Sequence, residues 1–129
     1  MIYLDTSVAL AHLLGEDRHP PATLWNESLV TSRLLEYELF VRLNARRLGR
    51  SHGQAAHELV ARLALLQLSS PILARALEPF AVELRTLDAV HLASLEFLRG
   101  QGVSVSLASY DTRMLDAARA LRIPLAACD

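Results

Sequence analysis

MIYLDTSVAL, residues 1–10, decides the fold. A short apolar run, Ile2 to Leu4, stops at Asp5. Thr6 and Ser7 then offer capping hydroxyls to a helix running to Leu14. A buried strand giving way to a helix at an acid is the opening of an α/β unit. A carboxylate at that junction points at the functional edge of the sheet. Three later stretches repeat the theme: TSRLLEYEL (31–39), LRTLDAVHLAS (84–94) and SVSLASYD (104–111). They bring Glu38, Asp88 and Asp111 to similar junctions.

Outward from these four stretches, the remaining pattern alternates short apolar runs with helical ones. Strands are expected over 2–4, 29–31, 66–68 and 103–108, with a last edge strand over 125–127. Helices are expected over 6–14, 33–48, 54–65, 86–99 and 112–121, with a short helical piece over 22–27. A further helix over 72–83 is broken or kinked by Pro79. Ser32 reads as an N-cap, and Gly49 as the C-cap of the helix before it. Such alternation predicts an α/β fold: a mostly parallel sheet of four to five short strands, covered on both faces. Right-handed crossovers then gather the strand C-terminal ends, and the four acids, on one edge. There is no internal repeat and no linker, so residues 1–129 read as a single domain.

Composition narrows the function. The chain is 52% hydrophobic but only 5% aromatic, so its core must be aliphatic. No apolar stretch approaches the roughly 20 residues that span a bilayer. No basic stretch precedes MIYLD, so no signal peptide is expected. Cys128 is the single cysteine, which excludes an intrachain disulfide and makes a cytoplasmic location the default. The net charge is −1, yet all 13 basic residues are arginine. A GC-rich genome explains that bias. The functional counterpart is that arginine forks suit phosphate, with Arg42, Arg46, Arg47 and Arg50 as the candidate patch.

Four carboxylates in one pocket repel one another unless a cation lies among them. All-oxygen donors suit a hard ion, Mg²⁺ or Mn²⁺. Such an ion supports phosphodiester hydrolysis by activating water and stabilising the leaving oxygen. On this reading Asp5, Asp88 and Asp111 are metal ligands, and Glu38 ligates through water or orients the nucleophile. Glu36 competes with Glu38. Two residues apart on a helix they face about 200° from each other, so one of them points away. Thr6 and Ser109 are candidate supporting hydroxyls, although helix capping would explain them equally. His91, one turn beyond Asp88, reads either as an acid or partner of the site or as a hydrogen-bonded structural histidine. Asp116 reads as a solvated helix residue. Trp25 and Phe40 read as core residues or as partner anchors.

The motifs MIYLDTSVAL, TSRLLEYEL, LRTLDAVHLASL and LASYDTRMLDAARALRIPL resemble, in order and across nearly the whole chain, those of PIN-domain ribonucleases. The size is most similar to the VapC toxins of bacterial toxin–antitoxin pairs. The resemblance implies a three-layer α/β/α sandwich and a Mg²⁺- or Mn²⁺-dependent endoribonuclease acting on structured RNA, notably tRNA or rRNA. By motif it assigns Asp5, Glu38, Asp88 and Asp111 as the four acids, Glu38 being chosen because Leu39 follows it. It implies a VapB-like antitoxin and assembly as a homodimer or a toxin–antitoxin hetero-oligomer. Two other readings remain open at this point. One is a catalytically silent PIN-like module that binds RNA or a partner. The other is an Asp-dependent phosphatase or phosphoacceptor domain, against which the absence of lysine counts.

Overall fold

The computed structural model describes residues 1–128. Four parallel strands form one sheet in the order β3-β2-β1-β4. They are β1 (Ile2–Leu4), β2 (Leu29–Ser32), β3 (Ala64–Leu66) and β4 (Ser106–Ala108). Six α-helices accompany them: α1 (Thr6–Leu14), α2 (Arg33–Ala45), α3 (Gly49–Ala61), α4 (Ser70–Ala76), α5 (Thr86–Gly100) and α6 (Thr112–Ala120). A 3₁₀ turn covers Ala22–Asn26.

Strand alternation sorts the core into two layers. Leu4, Leu29 and Ala108 join one cluster with Val8 of α1, Leu35 and Leu39 of α2, and Leu59 of α3. Their neighbours Tyr3, Val30 and Leu107 join the opposite cluster with Leu92 and Leu95 of α5 and Met114 of α6. The sheet is thus buried on both faces, and the architecture is the expected three-layer sandwich. In register, Tyr3 lies between Val30 on β2 and Leu107 on β4.

Because all four strands are parallel, their C-terminal ends share one edge. The chain fills the β2–β3 side of β1 first and returns to place β4 on the other side. A crevice therefore opens beyond the ends of β1 and β4, where α/β sheets bind ligands. Asp5 follows β1 there, its N–H extending the ladder to Ala108 O at 2.9 Å. Ser109 and Asp111 follow β4.

Several expectations shift. The expected helix 33–48 stops at Ala45, and Gly49 begins α3 instead of capping α2. Arg47 takes the left-handed position (φ 58°). Leu48 N–H bonds Leu43 O at 2.8 Å and Arg47 N–H bonds Asn44 O at 3.1 Å, which makes a Schellman closure on an arginine. The same closure ends α6 on Arg122 and α5 on Gly102. The strand expected over 66–68 lies two residues earlier, as β3. The helix expected over 72–83 ends at Ala76, before Pro79. The edge strand expected over 125–127 is reduced to a bridge between Leu125 and Leu107. Ser32 caps α2 as expected, accepting from Leu34 N–H. Trp25 and Phe40 are half-buried against the core; the rings of Trp25 and His12, and of Phe40 and His57, pack at a tilt.

Candidate active site

A cleft of about 780 Å³ lies at the strand C-terminal edge. Asp5, Glu38, Asp88 and Asp111 all line it. Glu36 does not; it pairs with Arg33 at 3.4 Å on the exposed side of α2. Two residues of helical phase separate the alternatives. Asp116 is likewise outside, paired with Arg119 at 2.9 Å.

Asp5 is 3% exposed, and two hydroxyls hold it. Ser7 donates to Asp5 Oδ2 at 2.6 Å and Ser109 donates to the same oxygen at 2.8 Å. Each serine accepts in turn from the backbone beyond β4. Tyr110 N–H donates to Ser7 Oγ at 3.0 Å, and Asp111 N–H donates to Ser109 Oγ at 3.0 Å. Such chains of donors polarise one another in the direction of the carboxylate. Thr6 and Ser7 therefore do not cap α1: its N-cap residue is Asp5, with no side-chain cap bond. Their hydroxyls are turned into the site.

Glu38 comes from the second turn of α2. Thr6 donates to Glu38 Oε1 at 2.8 Å, and His91 Nε2–H donates to the same oxygen at 2.6 Å. His91, on α5, is 1% exposed, and its Nδ1 meets the Tyr3 hydroxyl at 2.8 Å. Burial alone would lower the His91 pKa. The Tyr3 hydroxyl, the hydrogen bond to Glu38 and the nearby Asp5 and Glu38 charges outweigh it and raise the pKa to about 10. The charged imidazole is favoured in this buried pair by the raised pKa and the short contact with Glu38 Oε1. It is too buried to act as an acid on a substrate.

Asp111 is the N-cap of α6. Its Oδ1 accepts from Arg113 N–H at 2.9 Å and Met114 N–H at 3.3 Å. A pattern emerges across three acids: one carboxylate oxygen is tied to donors, and the other has no hydrogen bond among the described residues. Asp88 differs. It sits in the first turn of α5 with no hydrogen bond to either oxygen among the described residues. Burial raises its pKa first, and repulsion from Asp5, Asp111 and Glu38 raises it further. His91 opposes them, and the result is about 6. Asp88 therefore feels all three other acids.

Arginine surrounds the acids. Arg42 and Arg46 of the expected patch line the cleft, whereas Arg47 and Arg50 do not. Arg18, from the loop after α1, and Arg85, just before α5, line it as well. Sequence reading missed both, because loops and not helical spacing deliver them. It also missed Tyr3, which reads as an ordinary strand residue.

Among the described residues no three carboxylate, imidazole or thiolate groups stand close enough to form a ready-made chelate. The donor set nonetheless fits a hard divalent ion. It is all carboxylate oxygen, most of its members keep one oxygen free, and burial together with repulsion from the other three acids raises the pKa of Asp88. Mg²⁺ retains several waters and needs only one or two direct carboxylates.

The PIN domain family model matches residues 2–120. The chain belongs to the PIN-domain family. Among relatives of this PIN domain, Ribonuclease VapC46 of Mycobacterium tuberculosis (strain ATCC 25618 / H37Rv) is 36% identical over 126 residues, covering 93% of this chain and 92% of that protein. Ribonuclease VapC47 of Mycobacterium tuberculosis (strain CDC 1551 / Oshkosh) is 30% identical over 126 residues, covering 92% and 90%. Solved structures share the fold. Mycobacterium tuberculosis VapC20, a sarcin–ricin loop cleaving toxin, superposes with a TM-score of 0.70 at 23% identity, covering 91% of this chain and 95% of that one. A toxin–antitoxin complex from Klebsiella pneumoniae gives 0.66 at 16% identity, covering 93% and 94%.

Proposed function

We propose that this PIN domain, read as one unit over residues 1–129, is a divalent-metal-dependent endoribonuclease and the toxin of a VapBC-type pair. The observation that carries the reading is the convergence of Asp5, Glu38, Asp88 and Asp111 on one cleft, with Asp88 pushed up to about 6 by burial and the other three. The names of the relatives, VapC ribonucleases that match it nearly end to end, support the same activity.

Asp5, Asp88 and Asp111 would hold Mg²⁺, or Mn²⁺ in its place. Glu38 would contribute through water. When bound, such an ion lowers the pKa of a water and offsets charge on the phosphodiester. Ser7 and Ser109 keep Asp5 fixed, so its free Oδ1 is presented in one orientation. Arg18, Arg42, Arg46 and Arg85 are placed to hold phosphates on either side of the scissile bond. The substrate is a structured RNA, tRNA or rRNA, met in the cytoplasm. The partner is a VapB-like antitoxin that covers the cleft, within a homodimer or a hetero-oligomer. No helix among the described residues is long and apolar enough to cross a membrane.

The test is cleavage of total tRNA and rRNA by purified protein with Mg²⁺, with Mn²⁺ and with a chelator. Cutting should require the metal and vanish in folded Asp5→Asn. Cutting that survives both chelation and the substitution would contradict the reading.

A further inference from the structure

We infer that His91, anchored by Tyr3, is a positioning residue that fixes which oxygen of Glu38 the cleft receives. The inference rests on the functional reading above and deepens it. Glu38 Oε1 takes both available donors, Thr6 O–H at 2.8 Å and His91 Nε2–H at 2.6 Å. Oε2 takes none among the described residues. A carboxylate free to rotate would exchange its two oxygens. Two donors on one oxygen stop that exchange.

The imidazole needs its own restraint, because a ring held at one nitrogen can swing about that bond. Tyr3 supplies it from the opposite side. Its hydroxyl meets Nδ1 at 2.8 Å, and the two rings pack edge to face at 78° with centroids 5.8 Å apart. Tyr3 is fully buried, and β1 fixes it between Val30 and Leu107. The central strand thus reaches Glu38 through one intermediary. Thr6 Oγ1, which donates to Glu38, also lies 3.1 Å from Nε2, so the three side chains are in mutual contact. Tyr3, Thr6, Glu38 and His91 form one hydrogen-bonded unit, and Glu38 Oε2 is the carboxylate oxygen it leaves without a hydrogen bond among the described residues. Groups that orient a metal-binding side chain in this way typically change metal affinity about ten- to a hundredfold when removed.

Mn²⁺ affinity, measured by titration calorimetry on protein free of RNA, tests the inference together with steady-state RNA cleavage. Tyr3→Phe keeps the ring and the packing and removes only the anchor. It should weaken Mn²⁺ binding several-fold and lower kcat while leaving the KM for RNA near that of the unaltered protein. His91→Ala should weaken Mn²⁺ binding about tenfold or more. His91→Gln, which retains an N–H donor for Glu38, should recover part of that loss. In the His91→Ala background Tyr3→Phe should have no further effect. Unaltered protein that binds Mn²⁺, together with a Tyr3→Phe protein that binds it equally well, overturns the inference and leaves the functional reading standing. A His91→Gln loss as large as that of His91→Ala also overturns it, since shape rather than the donated bond would then be at stake. Unaltered protein that neither binds Mn²⁺ nor cuts RNA overturns the functional reading itself, and the inference with it.

Discussion

Asp5 and Asp88 line the same cleft and are held in opposite ways. Asp5 is buried at the end of the central strand, and two serine hydroxyls meet one of its oxygens. Asp88 is half-buried at the start of α5 and has no hydrogen bond among the described residues. The difference decides where the repulsion of the acid cluster is stored. Donated hydrogen bonds offset the cost of burying a carboxylate. The acid without donors has nothing to offset its burial and the repulsion of its neighbours, and its pKa rises to about 6. One wall of the cleft is therefore preorganised, and the other is poised to respond to an added cation.

Charge removal should expose the contrast most sharply. Asp5→Asn and Asp88→Asn should each lower RNA cleavage by at least ~100-fold, because metal stabilisation of the transition state is worth several kcal/mol. Their effects on fold stability should diverge. Asp5→Ala leaves Ser7 and Ser109 without their acceptor and should cost about 2 kcal/mol in denaturant unfolding. Asp88→Ala removes repulsion and should raise the midpoint of the metal-free protein at neutral pH. Destabilisation of equal size by both would erase the distinction.

The next effect is a pH dependence. The Asp88 pKa is raised in the folded protein, so its protonated form favours the fold. That contribution is fully present below about 3.8 and is lost as pH rises through about 6. His91 is raised as well, so its contribution is present below 6.5 and is lost as pH rises through about 10. Metal-free Asp88→Asn should lose the first slope and keep the second in unfolding curves measured across pH.

The residues of the cleft were not equally legible in the sequence. Asp5, Asp88 and Asp111 stand out because each follows a short apolar run or opens a helix. Glu38 needed the phase of α2 to separate it from Glu36, and two residues of helix are enough to reverse a side chain. The roles of Ser7 and Thr6 were obscured because a hydroxyl after an acid at a helix start satisfies capping rules equally well. Tyr3 was hidden altogether, since strand alternation marks it only as apolar and inward. The end of α2 was misplaced because an arginine occupies the left-handed position there. Arg47 and Arg122 close α2 and α6 in a conformation that normally advertises itself with glycine. Gly49, the visible signal, belongs to the next helix.

Smaller effects should map the rim. Arg42→Ala and Arg85→Ala should each weaken RNA binding across sequences and reduce the salt slope by about 1, if each contacts one phosphate. An unchanged slope in both would place the RNA elsewhere. Glu36→Gln should leave cleavage and Mn²⁺ affinity within twofold of the unaltered protein, because its partner Arg33 lies on the solvent side.

The poised state of Asp88 gives the most direct measurement. A cation that enters the cleft should displace the proton that Asp88 holds. Mn²⁺ titrated into the metal-free protein at pH 5 and at pH 7 should bind more tightly at pH 7. At the lower pH it should release a proton, seen as a dependence of the heat on buffer ionisation, and Asp88→Asn should abolish that release. Binding of equal strength at both pH values, with no proton released, would contradict a cation site built on these four acids.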